Sequence, residues 1–478
     1  MVTASSYQYP KLNSTRSPGI RGGKSSEKFL ILSFLVCIIL AMASLIYPTN
    51  VGNLAAVLTN ISVVICTYMA DDVFFFCLLP VFFLKITEIF PCLLIEFDHS
   101  LMWETGRTAY LTGATARLAF IDNVYWVAAY SFFKFARMRE LLVIDKVATV
   151  PLDLTSVVVY LAACVMIAYL IGVGLSQGFP LLTGTERFHF KAGLGPLFGT
   201  ALNNKNVFMV FFAWLNVYSK TKWPSYFLAF VILVLFMLFG EKFTSVGLAG
   251  FQFLGARFAV SGQRVSLKAW IIMAVVLFLI TVPPTIYSYQ AANLADSFDA
   301  FTRRIALQAQ LWFLSDEYWQ TGSGHFAMNA FVDEMKSFFI IGEGADSVSD
   351  VYADYGLYNV MRAFADPQVF AYDVKDGVGF IYALESGWLY SYGYILTTVL
   401  TCMSAFSYMV LVRLFIGGVS VRSPWMILLA AKAMTWNLNT IIVGYSRFQF
   451  GINVVALLFL GYAFSLMNSN IRSKRIVS

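Results

Sequence analysis

The chain has 478 residues, of which 59% are hydrophobic and only 13% charged, with a formal net charge of +6. Soluble domains carry roughly a quarter charged residues, so a single water-solvated core is excluded. Apolar runs of about 18 residues or more, enough to cross a hydrocarbon layer of about 30 Å, recur along nearly the whole length.

Residues 1–28 form a polar tail carrying Lys11, Arg16, Arg21, Lys24 and Lys28. The first apolar segment, Phe29 to Tyr47, lacks a small-residue cleavage site and is expected to stay as a first helix. Further spans are expected near 51–69, 73–95, 109–133, 154–174, 200–218, 224–240, 243–259, 269–288, 387–412, 423–443 and 448–467. Lys and Arg in short loops mark the cytoplasmic side of a membrane. Clusters at Lys134, Arg137, Arg139 and Lys146, at Lys220 and Lys222, and at Arg257, Arg264 and Lys268 alternate as that rule requires, as do Arg413 and Arg422 and the group Arg472, Lys474 and Arg475. Both termini are thus expected in the cytoplasm, with the protein multi-pass in a membrane.

Residues 289–386 then lie outside, with 14 acidic against 5 basic residues, a local net of −9. The expected architecture is an all-α polytopic membrane protein of about twelve transmembrane helices. Nine fall in 29–288 and three in 387–467, the extracytoplasmic loop lies between the two sets, and 468–478 form a cytoplasmic tail. Within the loop, Phe301 to Trp319 reads as a helix along the membrane surface, broken by Gly322 and Gly324, and Ala327 to Ile341 reads as a second. All six cysteines fall in apolar segments, which leaves no disulfide framework.

Ionisable groups at membrane depth are expensive unless paired. Lys85 and Glu88, at i and i+3, are expected to pair with each other, whereas Arg117 and Asp122 need partners on other helices. Arg187, Lys205, Lys242, Arg303, Arg304 and Arg447 fall on the predicted outer side, where the positive-inside rule disfavours cations. Their presence fits an anionic ligand; pairing with the loop's acids is the other reading. The loop and its borders are rich in aromatic residues, among them Trp312, Tyr318, Trp319, Trp388, Tyr390, Tyr392 and Tyr394. These suit sugar faces, and those near residue 390 suit a membrane-interface belt.

The order of these features resembles the bacterial O-antigen polymerase and ligase superfamily. Gly178-Phe179-Pro180-Leu181-Leu182 is similar to the G-I-P-L loop of oligosaccharide-repeat polymerases, and Gly240-Glu241-Lys242-Phe243-Thr244 stands where members have G-S-R-G or T-S-R-T. Phe339-Ile340-Ile341-Gly342-Glu343-Gly344 resembles their F-G-x-G turn, and Glu385-Ser386-Gly387-Trp388-Leu389-Tyr390-Ser391-Tyr392-Gly393-Tyr394 the segment re-entering the membrane. Lys242 replaces the usual arginine, which loses bidentate phosphate recognition but keeps the charge. The His-Asn pair that ligases carry near the end of the loop is missing, which favours polymerase over ligase.

The resemblance implies a GT-C-like fold and a substrate of undecaprenyl-diphosphate-linked oligosaccharide. Membrane lipids and a polysaccharide chain-length regulator are the other expected partners, and no nucleic acid is. Negative charge developing on the departing diphosphate needs a metal or fixed cations. The first external loop, Pro48-Thr49-Asn50, offers no acid, so a metal-free and cofactor-free catalyst is expected. Lys242 with Arg303 or Arg304 would clamp the diphosphate, and Arg187, Lys205, Arg447, Trp312 and Trp319 would bind substrate. Glu385, as a lone acid, is the first choice for the base that takes the acceptor proton, followed by Asp376 and His325; His99 and His189 are weaker candidates. The rival readings are an O-antigen ligase and, from another class, a lipid-glycan flippase or secondary transporter.

Overall fold

The computed structural model describes residues 23–99, 101–102, 105–141, 154–185, 190–191, 193–219, 221–241, 243–262, 307–341, 353–376 and 384–463, with isolated positions between 265 and 305. Almost all of it is helix. The first block comprises α1 (Gly23–Ile46), α2 (Asn50–Ala70), α3 (Asp72–Asp98), α4 (Ala114–Phe135) and the short α5 (Met138–Leu141). A two-stranded antiparallel ribbon, β1 (Leu101–Met102) and β2 (Arg107–Thr108), lies between α3 and α4. Next come α6 (Leu154–Gln177), α7 (Pro180–Thr183), α8 (Gly195–Asn203), α9 (Lys205–Tyr218), α10 (Trp223–Leu238) and α11 (Phe243–Ser261).

Among the described residues, four helices follow in the region expected as a loop: α12 (Gln310–Gln320), α13 (Met328–Ser337), α14 (Gly356–Phe364) and α15 (Pro367–Asp376). The chain then runs through α16 (Leu384–Val421), α17 (Pro424–Val443) and α18 (Arg447–Phe450), the last opening the apolar helical stretch Arg447–Ala463.

Among the described residues, six helical segments are long and apolar enough to cross a membrane: Ser25–Ile46, Asn50–Ala70, Asp72–Asp98, Ser156–Thr183, Leu384–Val421 and Pro424–Val443. Helices also occupy the other segments expected to span, but α4 is too polar and α8 to α11 are too short or too polar to meet that criterion. The ninth expected span, 269–288, lies mostly outside the described residues. Within Asp72–Asp98, 78% of the apolar window is buried by protein, against 22% for Ser25–Ile46. α3 is therefore the central helix, wrapped by α2, α4 and α11, while α1 keeps an apolar outer face for lipid.

The expected surface helix Phe301 to Trp319 is corrected in two respects. A 3-10 turn at Leu307–Ala309 precedes α12, whose regular helix starts at Gln310, and residues 301–304 lie outside the described set. Leu311, Trp312, Phe313 and Leu314 are fully buried rather than lying on a surface, in a second core with Ile89, Cys92, Leu118, Leu389 and Tyr445. This apolar layer docks the loop helices onto one end of the bundle, formed by the C-terminus of α3 and the N-termini of α4 and α16. The expected turn Gly342 to Gly344 lies outside the described residues. All six cysteines are free thiols.

Two local devices shape that end. Gly113 caps α4 with φ of 83°, a conformation open to glycine, where a Cβ would come within 2.8 Å of Ser44. Gly393 interrupts α16 with φ of 77° and ψ of 177°, which divides it into a short first segment, Leu384 to Tyr392, and a long one beginning at Tyr394. The broken backbone is packed against Trp319, whose ring would stand 2.9 Å from a Cβ at 393.

Candidate functional site

Three buried polar clusters lie at or just below the loop-bearing end. The deepest joins α3, α4 and the first turn of α16. Lys85 Nζ sits 2.9 Å from Asp122 Oδ1 and 2.5 Å from Glu385 Oε1, and 5.9 Å from the centre of the Tyr125 ring. Lys85 is 2% exposed, and Asp122, Glu385 and Glu88 are 0%. The expected Lys85–Glu88 pair is thus replaced by two longer-range partners, and both Glu88 oxygens lack a hydrogen bond. Helical spacing made the i, i+3 contact available, but the tertiary packing of α4 and α16 supplies two carboxylates in its place. Glu385, expected as a lone acid, is instead an ion-pair partner sealed from solvent.

The second cluster fastens α12 to α4. Arg117 Nε donates to Asp316 Oδ1 at 2.7 Å and Nη2 to Oδ2 at 2.6 Å, the forked geometry that makes arginine–carboxylate pairs strong. The Tyr394 hydroxyl donates to Asp316 Oδ1 at 2.7 Å, and Arg117 also reaches Ser44 and the Thr112 carbonyl. Burial pushes the Asp316 carboxyl above its usual range, opposed by Arg117 and Tyr394. Beside this pair, the two Glu96 oxygens accept from Asn53, from the Thr112 and Thr115 amides and hydroxyls, and from the Gly113 and Ala114 amides. Negative charge on a helix N-terminus with unsatisfied amides is stabilising, so Glu96 anchors the start of α4.

Glu334 of α13 forms the third cluster. It accepts from Tyr392 at 2.6 Å, from Trp388 at 3.3 Å and from Ser446, tying α13 to α16 and to the turn before α18. Tyr392, Trp388 and Tyr394 thus donate to buried acids, where an interface belt was expected.

A separate group of cations gathers around the junction of α8 and α9. Lys205 opens α9 and is 9% exposed, with its Nζ 4.8 Å from the Phe236 ring centre and no salt bridge among the described residues. Glu241 and Lys191, themselves paired at 2.5 Å, lie within electrostatic range of it. Lys432 of α17 donates to Asn204, the residue before Lys205, at 2.9 Å. Lys432 stands eleven residues from the Val443 end of α17, roughly 16 Å at 1.5 Å per residue. Three lysines and one acid thus lie around the junction of α8 and α9, with Lys205 at the positively polarised start of α9.

Of the other expected site residues, Arg447 is buried in α18, its guanidinium 5.0 Å from the Phe448 ring centre. His325 is exposed between α12 and α13, with Nδ1 3.1 Å from the Tyr318 hydroxyl. Trp319 is part-buried, and its indole N–H donates to the Tyr390 carbonyl at 3.3 Å. Trp312 is a correction: it is fully buried and donates to the Ala114 carbonyl at 2.9 Å, so its ring faces protein and presents no surface to a sugar. Asp376 closes α15. Arg187, His189, Lys242, Arg303 and Arg304 lie outside the described residues.

Sequence reasoning passed over Glu96, Asp316, Glu334 and Lys432. Asp316 and Glu334 stand among the many acids of the loop, but each also sits on the apolar face of its helix, and that position was the available signal.

The described fold is all-α, with the apolar helices of a multi-pass membrane protein. Residues 351–460 match the model of a family of unknown function, DUF6418. That stretch contains Glu385, Tyr394, Tyr392 and Lys432, one member of each of the four groups described above, and also Arg447. No curated protein and no solved structure matches the chain.

Proposed function

We propose that the chain is a membrane-embedded polymerase of undecaprenyl-diphosphate-linked oligosaccharide repeat units, acting at the outer face of the bacterial inner membrane with both termini in the cytoplasm. The observation that carries this reading is Lys205, a buried cation at a helix start without an acid in salt-bridge contact among the described residues. Lys191 and Lys432 stand beside it, and Lys242 follows Glu241 directly in sequence. A surplus of fixed positive charge inside an apolar bundle supports a ligand that brings negative charge with it, and a lipid diphosphate is such a ligand.

In the proposed reaction an acceptor sugar hydroxyl attacks the anomeric carbon of the lipid-linked chain. A new glycosidic C–O bond forms, the C–O bond to diphosphate breaks, and polyprenyl diphosphate departs with the electron pair into the lysine group. The hydroxyl proton goes to a base. Among the described candidates His325 and His99 are exposed and Glu385 is held by Lys85; His325, in the loop region between α12 and α13, is the base we assign. The resemblance in sequence order favours polymerase over ligase. A flippase is the second reading, favoured by the backbone break at Gly393, because transporters place substrate sites at interrupted helices.

The test uses full-length protein in nanodiscs with a synthetic undecaprenyl-diphosphate oligosaccharide. Chain growth with release of undecaprenyl diphosphate, unchanged by EDTA and lost in Lys205→Gln, is the expected result. Substrate that crosses a vesicle bilayer without elongation would replace the polymerase with the flippase.

A further inference from the structure

We propose that Glu88 carries a bound proton at neutral pH, which makes the Lys85–Asp122–Glu385–Glu88 cluster a proton-binding site inside the helical bundle. One cation faces three carboxyl groups, and none of the three acids is exposed. Lys85 is committed to Asp122 and Glu385.

Glu88 is left with no hydrogen bond to either oxygen. A buried carboxylate without a partner is among the least favourable groups a protein can hold, and uptake of a proton removes that charge where it stands. The Tyr125 hydroxyl, also fully buried and without a hydrogen bond, lies within range of Lys85 and Glu385 and offers no cation of its own.

The groups that face Glu88 are Lys85 and the Cys92 thiol from α3, Asp122 from α4 and Glu385 from α16. The only cation among them is already shared by two acids. A metal ion needs several ligands converging on one point, and among the described residues no three His, Cys, Asp or Glu side chains are grouped to hold one. A proton needs a single oxygen.

The location gives the proton a consequence. Glu385 is the second residue of α16, and the segment Leu384 to Tyr392 holds Glu334 of the loop helix through Trp388 and Tyr392. Loss of the proton would set a third carboxylate against Asp122 and Glu385 in competition for Lys85. The first segment of α16, and the loop helix seated on it, would then loosen together.

Infrared spectroscopy of the full chain in lipid nanodiscs tests this. At neutral pH the intact protein should show the C=O stretch of a protonated carboxylic acid. Glu88→Gln should remove that band, and Glu88→Asp should shift it, which keeps the test open if the glutamine variant does not fold. The melting temperature should fall between neutral and alkaline pH in the intact protein and change less in Glu88→Gln. A band unaltered by both variants would overturn the proposal. So would a melting temperature that rises with Na⁺ or K⁺ at constant ionic strength, since that behaviour belongs to a metal-cation site.

Discussion

Arg117 and Asp316 stand 199 positions apart and meet through two parallel hydrogen bonds of 2.7 and 2.6 Å, with both side chains almost sealed from solvent. The pair fixes the loop helix α12 to the N-terminal end of α4. Removing one partner of a buried pair leaves an uncompensated charge and costs about 3–5 kcal/mol. Asp316→Ala should therefore lower the thermal midpoint strongly and open residues 307–341 to protease. Arg117→Met combined with Asp316→Leu should recover much of the loss, which a double-variant cycle of melting measurements would read.

Glu96 presents only acceptors to seven donors at the start of α4. Glu96→Gln puts an amide donor among them and removes the charge. Hydrogen bonds to charged groups contribute about 1.5–3 kcal/mol each, so the variant should lose at least about 2 kcal/mol. Faster amide exchange at residues 112–117 is the expected signature.

Glu334 gives a pH dependence whose sign follows from burial. Desolvation raises its carboxyl above the ordinary 4.5, and hydrogen bonds from Ser446, Tyr392 and Trp388 oppose that shift only in part. The folded protein therefore holds this proton to higher pH than the unfolded chain does. The associated stability is fully present below the unfolded value and is lost as pH rises through the folded one. Protection of α13 in hydrogen exchange, corrected for intrinsic rate, should decline over that interval. Glu334→Gln, which still accepts from Tyr392, should flatten the decline.

Gly393 combines a positive φ with a ring in contact, and alanine there meets both penalties. Conformations of this class cost of order 1–3 kcal/mol for residues with a Cβ, before the approach to Trp319 is counted. Gly393→Ala should destabilise the protein, and adding Trp319→Ala should return part of the loss by relieving the contact. Circular dichroism melts of the two variants would check this.

The helical segments were legible because apolar length is a local property, visible in each stretch without knowledge of its neighbours. α3 was expected near 73–95 and is found at Asp72–Asp98. The partners of the charged residues were not legible in the same way. Local spacing favoured Lys85 with Glu88, while the actual partner Glu385 lies 300 positions away, and no periodicity encodes which helices become neighbours. The need of Arg117 and Asp122 for partners on other helices was visible from their spacing, but the identity of those partners was not. Tyr392 and Tyr394 illustrate a related limit: a tyrosine at a helix end suits a lipid interface and a buried acid equally well until packing decides. Lys205 was singled out from its position on the predicted outer side, whereas nothing local marked Lys432, which meets Asn204 only once α17 is placed against α9.

The most direct test of the polymerase reading is complementation of a polymerase-deficient strain of the source organism, scored by the surface-glycan ladder at matched membrane levels. Intact protein should restore the full ladder, and Lys205→Gln should collapse it to single-repeat bands. A full ladder from Lys205→Gln, or no ladder from the intact chain, would contradict polymerisation through the lysine group.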